Sequence, residues 1–258
     1  MTRRAFVPAA LATTASTVSA ADPPLPCFIE LRRYQLRNSA DNQRQRTTEF
    51  LRQQAAALER AGAGTTGAFA SSVGPNTPFL IVLISYPSAA AIQEVASKLA
   101  ADTEYQRAET IYNSQPGLNY ERMESSLLAA FTGYPKVVPP ANDGKRAPRL
   151  FELRTYESNN TTTLRKKVQM FNDGEIAAFE RSGGQPVFFG YTVIGPNQPS
   201  LTYMLSYEDF PGRDKVWKAF GADPGWQKLR ATPGLSDAEI VSNISNCLVT
   251  PLPFSQIR

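Results

Sequence analysis

Two short stretches, one near the start of each half of the chain, decide the fold: Ile29-Glu30-Leu31-Arg32-Arg33-Tyr34 and Phe151-Glu152-Leu153-Arg154-Thr155-Tyr156. Both stretches alternate apolar and polar residues, which is the period of a β-strand that buries one face. They share the Glu-Leu-Arg core and the final Tyr, at a separation of 122 residues. This agreement indicates that the chain contains two copies of one unit.

Further matches recur at a separation of 121 residues. They pair residues 59–62 with 180–183, 73–78 with 194–199, 85–86 with 206–207, and 102–106 with 223–227. Several coincidences in one register indicate an internal duplication. The Pro, Gly and Asn content of residues 134–144 is typical of a linker. The predicted organisation is a first domain over 21–134, a linker over 135–148 and a second domain over 149–258.

The second copy shows the order of its elements most clearly. Strands are predicted from the alternating or β-branched runs at 150–156, 186–194, 201–207 and 239–249. A helix capped by Thr163 is expected to end at Gly183, and Asp223 is expected to cap a later short helix that starts at Pro224. A further helix fits between the third strand and Asp223. This β-α-β-β-α-β order is the ferredoxin-like pattern.

One face of each predicted sheet is covered by its two helices, and the other face must be buried elsewhere. The second copy in the same chain provides a partner for that face. We therefore expect an α+β fold in which two tandem ferredoxin-like domains close into one pseudo-dimeric α+β barrel, with the helices on the outside.

The N-terminus has the three parts of a secretory signal in order. Arg3 and Arg4 precede an apolar stretch over 6–18, and small residues follow at 18–20. This pattern predicts a signal peptide over 1–20, and the arginine pair resembles a twin-arginine signal. The protein is then expected to be exported, to the periplasm or the cell exterior. The alternative is an amphipathic or disordered tail.

Cys27 and Cys247 are the two cysteines of the chain. An oxidising compartment allows a disulfide between them, and two separate buried thiols are the alternative. Pro26 before Cys27 does not suit a lipid-attachment motif, and the apolar N-terminal stretch is too short to span a membrane. We therefore expect no membrane anchor.

The composition excludes several classes of site. The chain has no histidine, which excludes Ser-His-Asp and Cys-His catalysis, His-based zinc sites and haem held by a proximal His. The formal charge of +4 comes without a cluster of basic residues, so nucleic acid is not an expected partner. Calcium-binding, phosphate-binding and nucleophile-elbow motifs do not occur in the sequence. We therefore expect neither a cofactor nor a tightly bound metal.

Two separated segments resemble NIPSNAP domains. Residues 151–156 are similar to the Glu-Leu-Arg-x-Tyr opening of that family, and residues 217–226 are similar to its Asp-Pro-x-Trp segment. The first copy departs from the second motif, since Thr103 and Tyr105 stand where the family has Pro and Trp. The resemblance implies the dimeric α+β barrel superfamily, which includes cofactor-poor monooxygenases, isomerases and haem proteins. The resemblance does not imply one agreed biochemical activity.

The polar face of the second opening strand is the candidate catalytic site. Glu152, Arg154 and Tyr156 share one face because side chains alternate along a strand, and we expect this face to point between the two sheets. One interpretation is a ligand pocket, in which Arg154 anchors an anion and Tyr156 or Glu152 carries a proton. The chemistry would be oxygenation or isomerisation of an apolar, partly anionic compound. The other is a Glu–Arg pair that locks the seam of a binding or assembly module.

Four further residues are candidate binding residues. Arg32 and Tyr34 repeat the pattern in the first copy, and the aromatic side chains of Trp217 and Trp226 are candidate pocket walls. A small molecule is the expected partner, and a homo-oligomer is left open. Whether the protein is an enzyme is also left open by the sequence.

Overall fold

The computed structural model describes residues 25–38, 40–141 and 147–258. The predicted signal peptide and part of the predicted linker lie outside the described residues. The first half contains β1 (Phe28–Gln35), α1 (Gln43–Ala61), β2 (Thr66–Val73), β3 (Phe79–Tyr86), α2 (Ala89–Ala101), α3 (Thr103–Asn113) and β4 (Arg122–Ala130). The second half begins with β5 (Leu150–Glu157), α4 (Thr161–Met170), a π-helical turn (Phe171–Glu175), α5 (Ile176–Arg181), β6 (Gln185–Ile194) and β7 (Ser200–Tyr207). It ends with α6 (Phe210–Ala222), α7 (Pro224–Arg230), α8 (Asp237–Ile240) and β8 (Asn243–Pro251).

The eight strands form one closed barrel. Their order around the barrel is β1-β3-β2-β8-β5-β7-β6-β4, and each neighbouring pair is antiparallel. The two halves join at two seams, where β2 pairs with β8 and β4 pairs with β6. Because neighbours alternate in direction, β1 and β5 run the same way. The β2–β3 and β6–β7 turns therefore lie at the same end, which we call the mouth of the barrel.

Apolar side chains from both halves fill most of the interior of the barrel. Phe69 of the first half packs against Phe151 of the second, with ring centroids 5.1 Å apart. At the end opposite the mouth, Val137 from the predicted linker and Ile257 near the C-terminus join the same buried cluster. An eight-stranded barrel is just wide enough for side chains to fill, so these residues close that end of the barrel.

The expected orientation of the candidate catalytic strand was wrong. Phe151 belongs to the interior cluster of the barrel, whereas Tyr156 belongs to the cluster between the sheet and the outer helices. Glu152 and Arg154 share the helix-facing side with Tyr156. The narrow interior takes the alternate apolar residues of the strand, while the polar residues meet partners on α6. The polar triplet therefore does not line the interior of the barrel.

Two local predictions also need correction, and one is confirmed. Asn160 caps α4, because its side chain accepts hydrogen bonds from the backbone of Thr162 and Thr163. The predicted cap Thr163 instead completes the capping box as the third helical residue. The last strand begins at Asn243, since α8 and its cap occupy the preceding residues. Asp223 caps α7 as predicted.

No helix among the described residues is long and apolar enough to cross a membrane.

The contact between the halves predicts that the barrel unfolds as one unit. Replacing Phe151 with Ala should lower the free energy of unfolding by about 3–5 kcal/mol, because it leaves a cavity at the centre of the shared core. Denaturant unfolding followed by circular dichroism measures this change. The matched control, Phe210→Ala on the half-exposed first residue of α6, should change stability by less than about 0.5 kcal/mol. Two separate transitions in the wild-type protein would contradict a shared core.

Candidate functional site

Glu152 is the centre of a buried hydrogen-bond network between β5 and α6. Its side chain is fully buried and accepts hydrogen bonds from five side chains. The donors and distances are Arg154 Nη1 at 3.0 Å, Arg213 Nε at 2.9 Å and Nη2 at 2.8 Å, Trp217 Nε1 at 3.1 Å, Tyr207 Oη at 3.1 Å and Asn246 Nδ2 at 2.7 Å. A carboxylate has about four lone-pair positions, so Glu152 has none left for a substrate.

The charge of Glu152 is fixed by the same partners. Burial alone would raise the pKa of this carboxyl, but the hydrogen bonds of Arg213 and Asn246 and the charges of Arg154 and Arg213 lower the pKa to about 2. A group that stays ionised and fully hydrogen-bonded is a poor proton carrier near neutral pH. These contacts favour the structural interpretation of Glu152, as a lock between sheet and helix.

The first half contains a simpler version of this network. Glu30 accepts hydrogen bonds from Arg32 at 2.6 Å and 3.0 Å, from Tyr86 at 3.0 Å and from Ser125 at 2.8 Å. The helix partners are missing, because Ile92 and Ala96 occupy the positions of Arg213 and Trp217 at the 121-residue separation. The predicted binding residue Arg32 therefore has its guanidinium directed to Glu30.

Arg154 lies at the edge of the network and retains an unused donor. Its guanidinium carbon lies 4.6 Å from the ring centroid of Trp217 and 5.6 Å from that of Tyr156. The buried Nε atom has no hydrogen-bond partner among the described residues. Arg154, the predicted anion-binding residue, is thus held by Glu152 and by two aromatic rings, and its Nε–H has no acceptor among the described residues.

The third predicted catalytic residue, Tyr156, is enclosed in the aromatic core. Its hydroxyl lies 2.9 Å from the hydroxyl of Tyr203, and both residues are buried. Burial raises the pKa of both phenols, so both stay protonated at neutral pH. Val82 stands at the position of Tyr203 in the first half, so this hydroxyl pair occurs only in the second repeat.

The predicted aromatic walls are also core residues. Trp226 is buried, and its ring lies 4.7 Å from that of Phe220. Trp217 makes an edge contact with Phe179 at 5.5 Å besides its hydrogen bond to Glu152. In the first half, Tyr34 is buried with its ring 5.5 Å from that of Tyr120. These three side chains contribute mainly to packing.

A second buried ion pair, which the sequence reasoning did not identify, lies beside Tyr156. The Lys167 ammonium lies 3.1 Å from Glu175 and 3.2 Å from Asp237. Glu175 is in the π-helical turn, and its buried Oε2 is the atom that contacts the Lys167 ammonium. Burial raises the pKa of Glu175 to about 7, against the opposing effect of Lys167. Gln54 is the equivalent residue in the first half.

A cavity of about 190 Å³ lies inside the mouth of the barrel. Three apolar side chains line it: Leu31, Ile81 and Leu153. The polar lining consists of Arg32, Arg33, Glu124, Ser126, Thr155, Thr192, Asn197, Ser200 and Thr202, together with Pro196. Of the residues predicted for the site, Arg32 borders this cavity, although its guanidinium is directed to Glu30. Glu152, Arg154 and Tyr156 do not line it.

The cavity exists because the two halves differ at the mouth. Arg33, Phe79 and Ile81 of the first half correspond to Thr155, Ser200 and Thr202 of the second. The guanidinium of Arg33 lies over the Phe79 ring, 3.6 Å from its centroid, and donates to the Pro75 carbonyl. The first half thus fills its part of the mouth, and the short side chains of the second half leave the space empty.

The hydroxyl groups at the cavity are arranged in two pairs. The oxygens of Thr155 and Thr202 lie 2.9 Å apart, as do those of Thr192 and Ser200. Within each pair one hydroxyl donates to the other, so one O–H per pair remains to donate elsewhere. Together with the half-buried Arg33, the cavity offers several donors above an apolar floor. This is the arrangement that suits the anionic head and apolar body of a small molecule.

The thiols do not form a disulfide. Cys27 and Cys247 are both free and buried, and burial raises the pKa of the Cys247 thiol to about 11. In residues 25–38, 40–141 and 147–258, no group of three or more Cys, Asp or Glu side chains is arranged to hold a metal ion.

The chain is similar to proteins of one family and one fold. A family model described as NIPSNAP matches residues 29–133 and again residues 151–256. No curated protein matches the chain. A solved NIPSNAP-like domain protein from Burkholderia xenovorans, described as uncharacterized, is 24% identical over 42% of this chain and 88% of its own, with a TM-score of 0.37.

Two longer solved structures match both halves. A "putative monooxygenase" from Lactobacillus acidophilus NCFM has a TM-score of 0.57 at 10% identity, and covers 88% of this chain and 94% of its own. Another "putative monooxygenase", from Fusobacterium nucleatum, has a TM-score of 0.56 at 4% identity, covering 88% of this chain and 93% of its own. At these identities the likeness concerns the fold alone.

The Glu152 network predicts a specific loss of stability in acid. The pKa of Glu152 is lowered in the folded protein, so its contribution is present above the unfolded pKa near 4.5 and is lost as pH falls towards 2. The difference corresponds to about 3 kcal/mol. Unfolding by urea between pH 5 and pH 2 should show this loss in the wild-type protein and not in Glu152→Gln. Glu30→Gln is the matched control and should retain the loss.

Glu175 predicts the opposite dependence at higher pH. Its pKa is raised in the folded protein, so the folded state is destabilised as pH rises from about 4.5 to about 7. Glu175→Gln, which introduces the residue of the first half, should make the melting temperature less dependent on pH over this range. Asp173→Asn, an exposed change in the same turn, is the control. An unchanged pH profile for Glu175→Gln would show that another group causes the dependence.

Proposed function

Because the chain belongs to the NIPSNAP family, whose model matches it twice, we propose that two ferredoxin-like repeats form a pseudo-dimeric barrel that binds a small, partly anionic organic molecule. The binding site is the cavity at the mouth. The single observation that carries this proposal is the combination of Arg33 with two hydroxyl pairs above an apolar floor. The N-terminal pattern supports export, so the ligand would be met outside the cytoplasm.

The size of the cavity limits the ligand. At about 30 Å³ per water molecule, about 190 Å³ corresponds to roughly six waters, which is the volume of a short-chain carboxylate. The guanidinium of Arg33 is a fixed positive charge whose planar donors match a carboxylate. Leu31, Ile81 and Leu153 provide contacts for the alkyl part. A short-chain carboxylate with its head towards Arg33 therefore fits both the charge and the volume.

Binding is favoured over catalysis at this site. Glu124 is the only carboxylate in the lining, and neither cysteine lines the cavity. The hydroxyls of Thr and Ser are weak nucleophiles without an adjacent base. Glu152 and Tyr156, which the oxygenase or isomerase hypothesis needs, lie between sheet and helices. The two longer structures are called putative monooxygenases, but their likeness to this chain concerns the fold alone. It supports no catalytic role for a residue of this cavity.

The proposal predicts the effect of filling the cavity. Thr202→Ile introduces the residue that the first half carries as Ile81 and should abolish carboxylate binding without unfolding the protein. Arg33→Gln should weaken binding at least about tenfold, the effect of losing a charged hydrogen bond of 1.5–3 kcal/mol. Isothermal titration of the mature protein with acetate, propionate and butyrate measures both.

Two controls accompany this experiment. Arg122→Gln removes an exposed arginine of β4 that does not line the cavity and should leave the affinity unchanged. The matching amides, acetamide and propionamide, should bind more weakly than the acids. If no carboxylate binds the wild-type protein, or if Thr202→Ile binds as tightly, the mouth cavity is not the binding site.

A further inference from the structure

A second cavity, of about 240 Å³, lies outside the barrel near the end opposite the mouth. It is formed by the start of β5, the end of β7, the turn before β6 and the helix α6. Its lining consists of Arg149, Ser182, Gly183, Gln185, Ser206, Tyr207, Glu208, Gly212, Lys215, Val216 and Ala219. The lining shares no residue with the mouth cavity, so the two cavities are distinct.

Arg149 is a buried cation at this cavity. Only 5% of the residue is exposed, and its guanidinium donates one hydrogen bond, from Nη2 to the Ala141 carbonyl at 3.1 Å. No carboxylate among the described residues lies within 4 Å of it. Burying a charge is costly unless a partner compensates it. A guanidinium in this position therefore favours the binding of an anion.

The second cation of the cavity is Lys215 on α6. Its exposed ammonium has no ion-pair partner among the described residues, and Glu208 is the only carboxylate in the lining. The first half has Cys27 and Glu94 at the positions of Arg149 and Lys215. The basic pair is thus not required by the fold, and it gives the second repeat a net positive cavity.

The two serine hydroxyls of the lining already donate their hydrogens to backbone carbonyls. The Ser182 hydroxyl donates to the Ala178 carbonyl at 2.6 Å, and the Ser206 hydroxyl donates to the Gln185 carbonyl at 3.3 Å. An anion would therefore be held mainly by Arg149 and Lys215. Two cations match the double charge of a phosphate group, and Arg presents paired donors to its oxygens.

We propose that this cavity is a second binding site, specific for a phosphate group, in which Arg149 and Lys215 hold the anion. The volume is larger than a phosphate ion needs, so the same chemistry accommodates free phosphate or a small phosphate monoester. The site does not depend on ligand binding at the mouth.

The test measures phosphate binding by isothermal titration and by the rise of melting temperature with ligand concentration. The probes for the mature protein are inorganic phosphate and glycerol 3-phosphate, with acetate for comparison. Lys215→Glu, which introduces the residue of the first half, should weaken binding at least about tenfold, and Arg149→Gln at least as much. Lys218→Glu lies on the same helix outside the lining and should bind as the wild type does.

The outcomes separate this site from its alternatives. Phosphate-dependent stabilisation that Lys215→Glu loses and Lys218→Glu keeps would support the proposal, even if Arg149→Gln does not fold. Tighter binding of glycerol 3-phosphate than of phosphate would identify a monoester as the ligand. No binding by the wild type, or equal binding by Lys215→Glu and wild type, would overturn it.

Discussion

The structure depends on the closure of one barrel by two repeats. Neither four-stranded set can bury its inner face alone, and the contact between Phe69 and Phe151 shows that each supplies the other's core. An eight-stranded barrel has little spare room, so the size of each interior side chain decides whether space remains. Large residues close the far end of the barrel. Short residues of one repeat open the mouth.

The duplication allowed the two repeats to diverge in complementary ways. The first repeat contributes Arg33 to the mouth, and the second contributes the hydroxyls and the empty volume. The proposed ligand site therefore needs both copies, although each copy has the same architecture. The two repeats also differ in the layer between the sheet and the helices, where the second repeat is the more polar one. There the second repeat gained Arg213 and Trp217 around Glu152, where the first repeat has apolar residues.

The same polar network commits the candidate catalytic residues to contacts within the protein. Glu152 is saturated with donors, and Tyr156 is enclosed beside Tyr203. A buried charge that is fully paired specifies how elements pack, whether or not it adds net stability. Arg154 retains capacity for a further partner, because its buried Nε has no hydrogen-bond partner among the described residues.

The sequence predicted the features that depend on local pattern. The repeat itself, the opening strands, the cap at Asp223 and the family were visible, because each depends on residues close together in the chain. The orientation of β5 was wrong, since alternation shows which residues share a face but not which face is inside. Arg213 and Trp217 lie four residues apart on one face of α6, and both carry side-chain N–H donors. This spacing was the available signal that a carboxylate packs against α6. The mouth cavity could not be predicted, because it depends on which strands of the two repeats meet.

We propose that the mouth of the barrel holds a small carboxylate between residues of both repeats. A crystal structure of the mature protein grown with 3-bromopropionate, measured at the bromine absorption edge, tests it most directly. We expect an anomalous peak beside Leu31, Ile81 and Leu153, with the carboxylate directed to Arg33. A well-ordered mouth without such a peak, at a ligand concentration that saturates binding in solution, would contradict it.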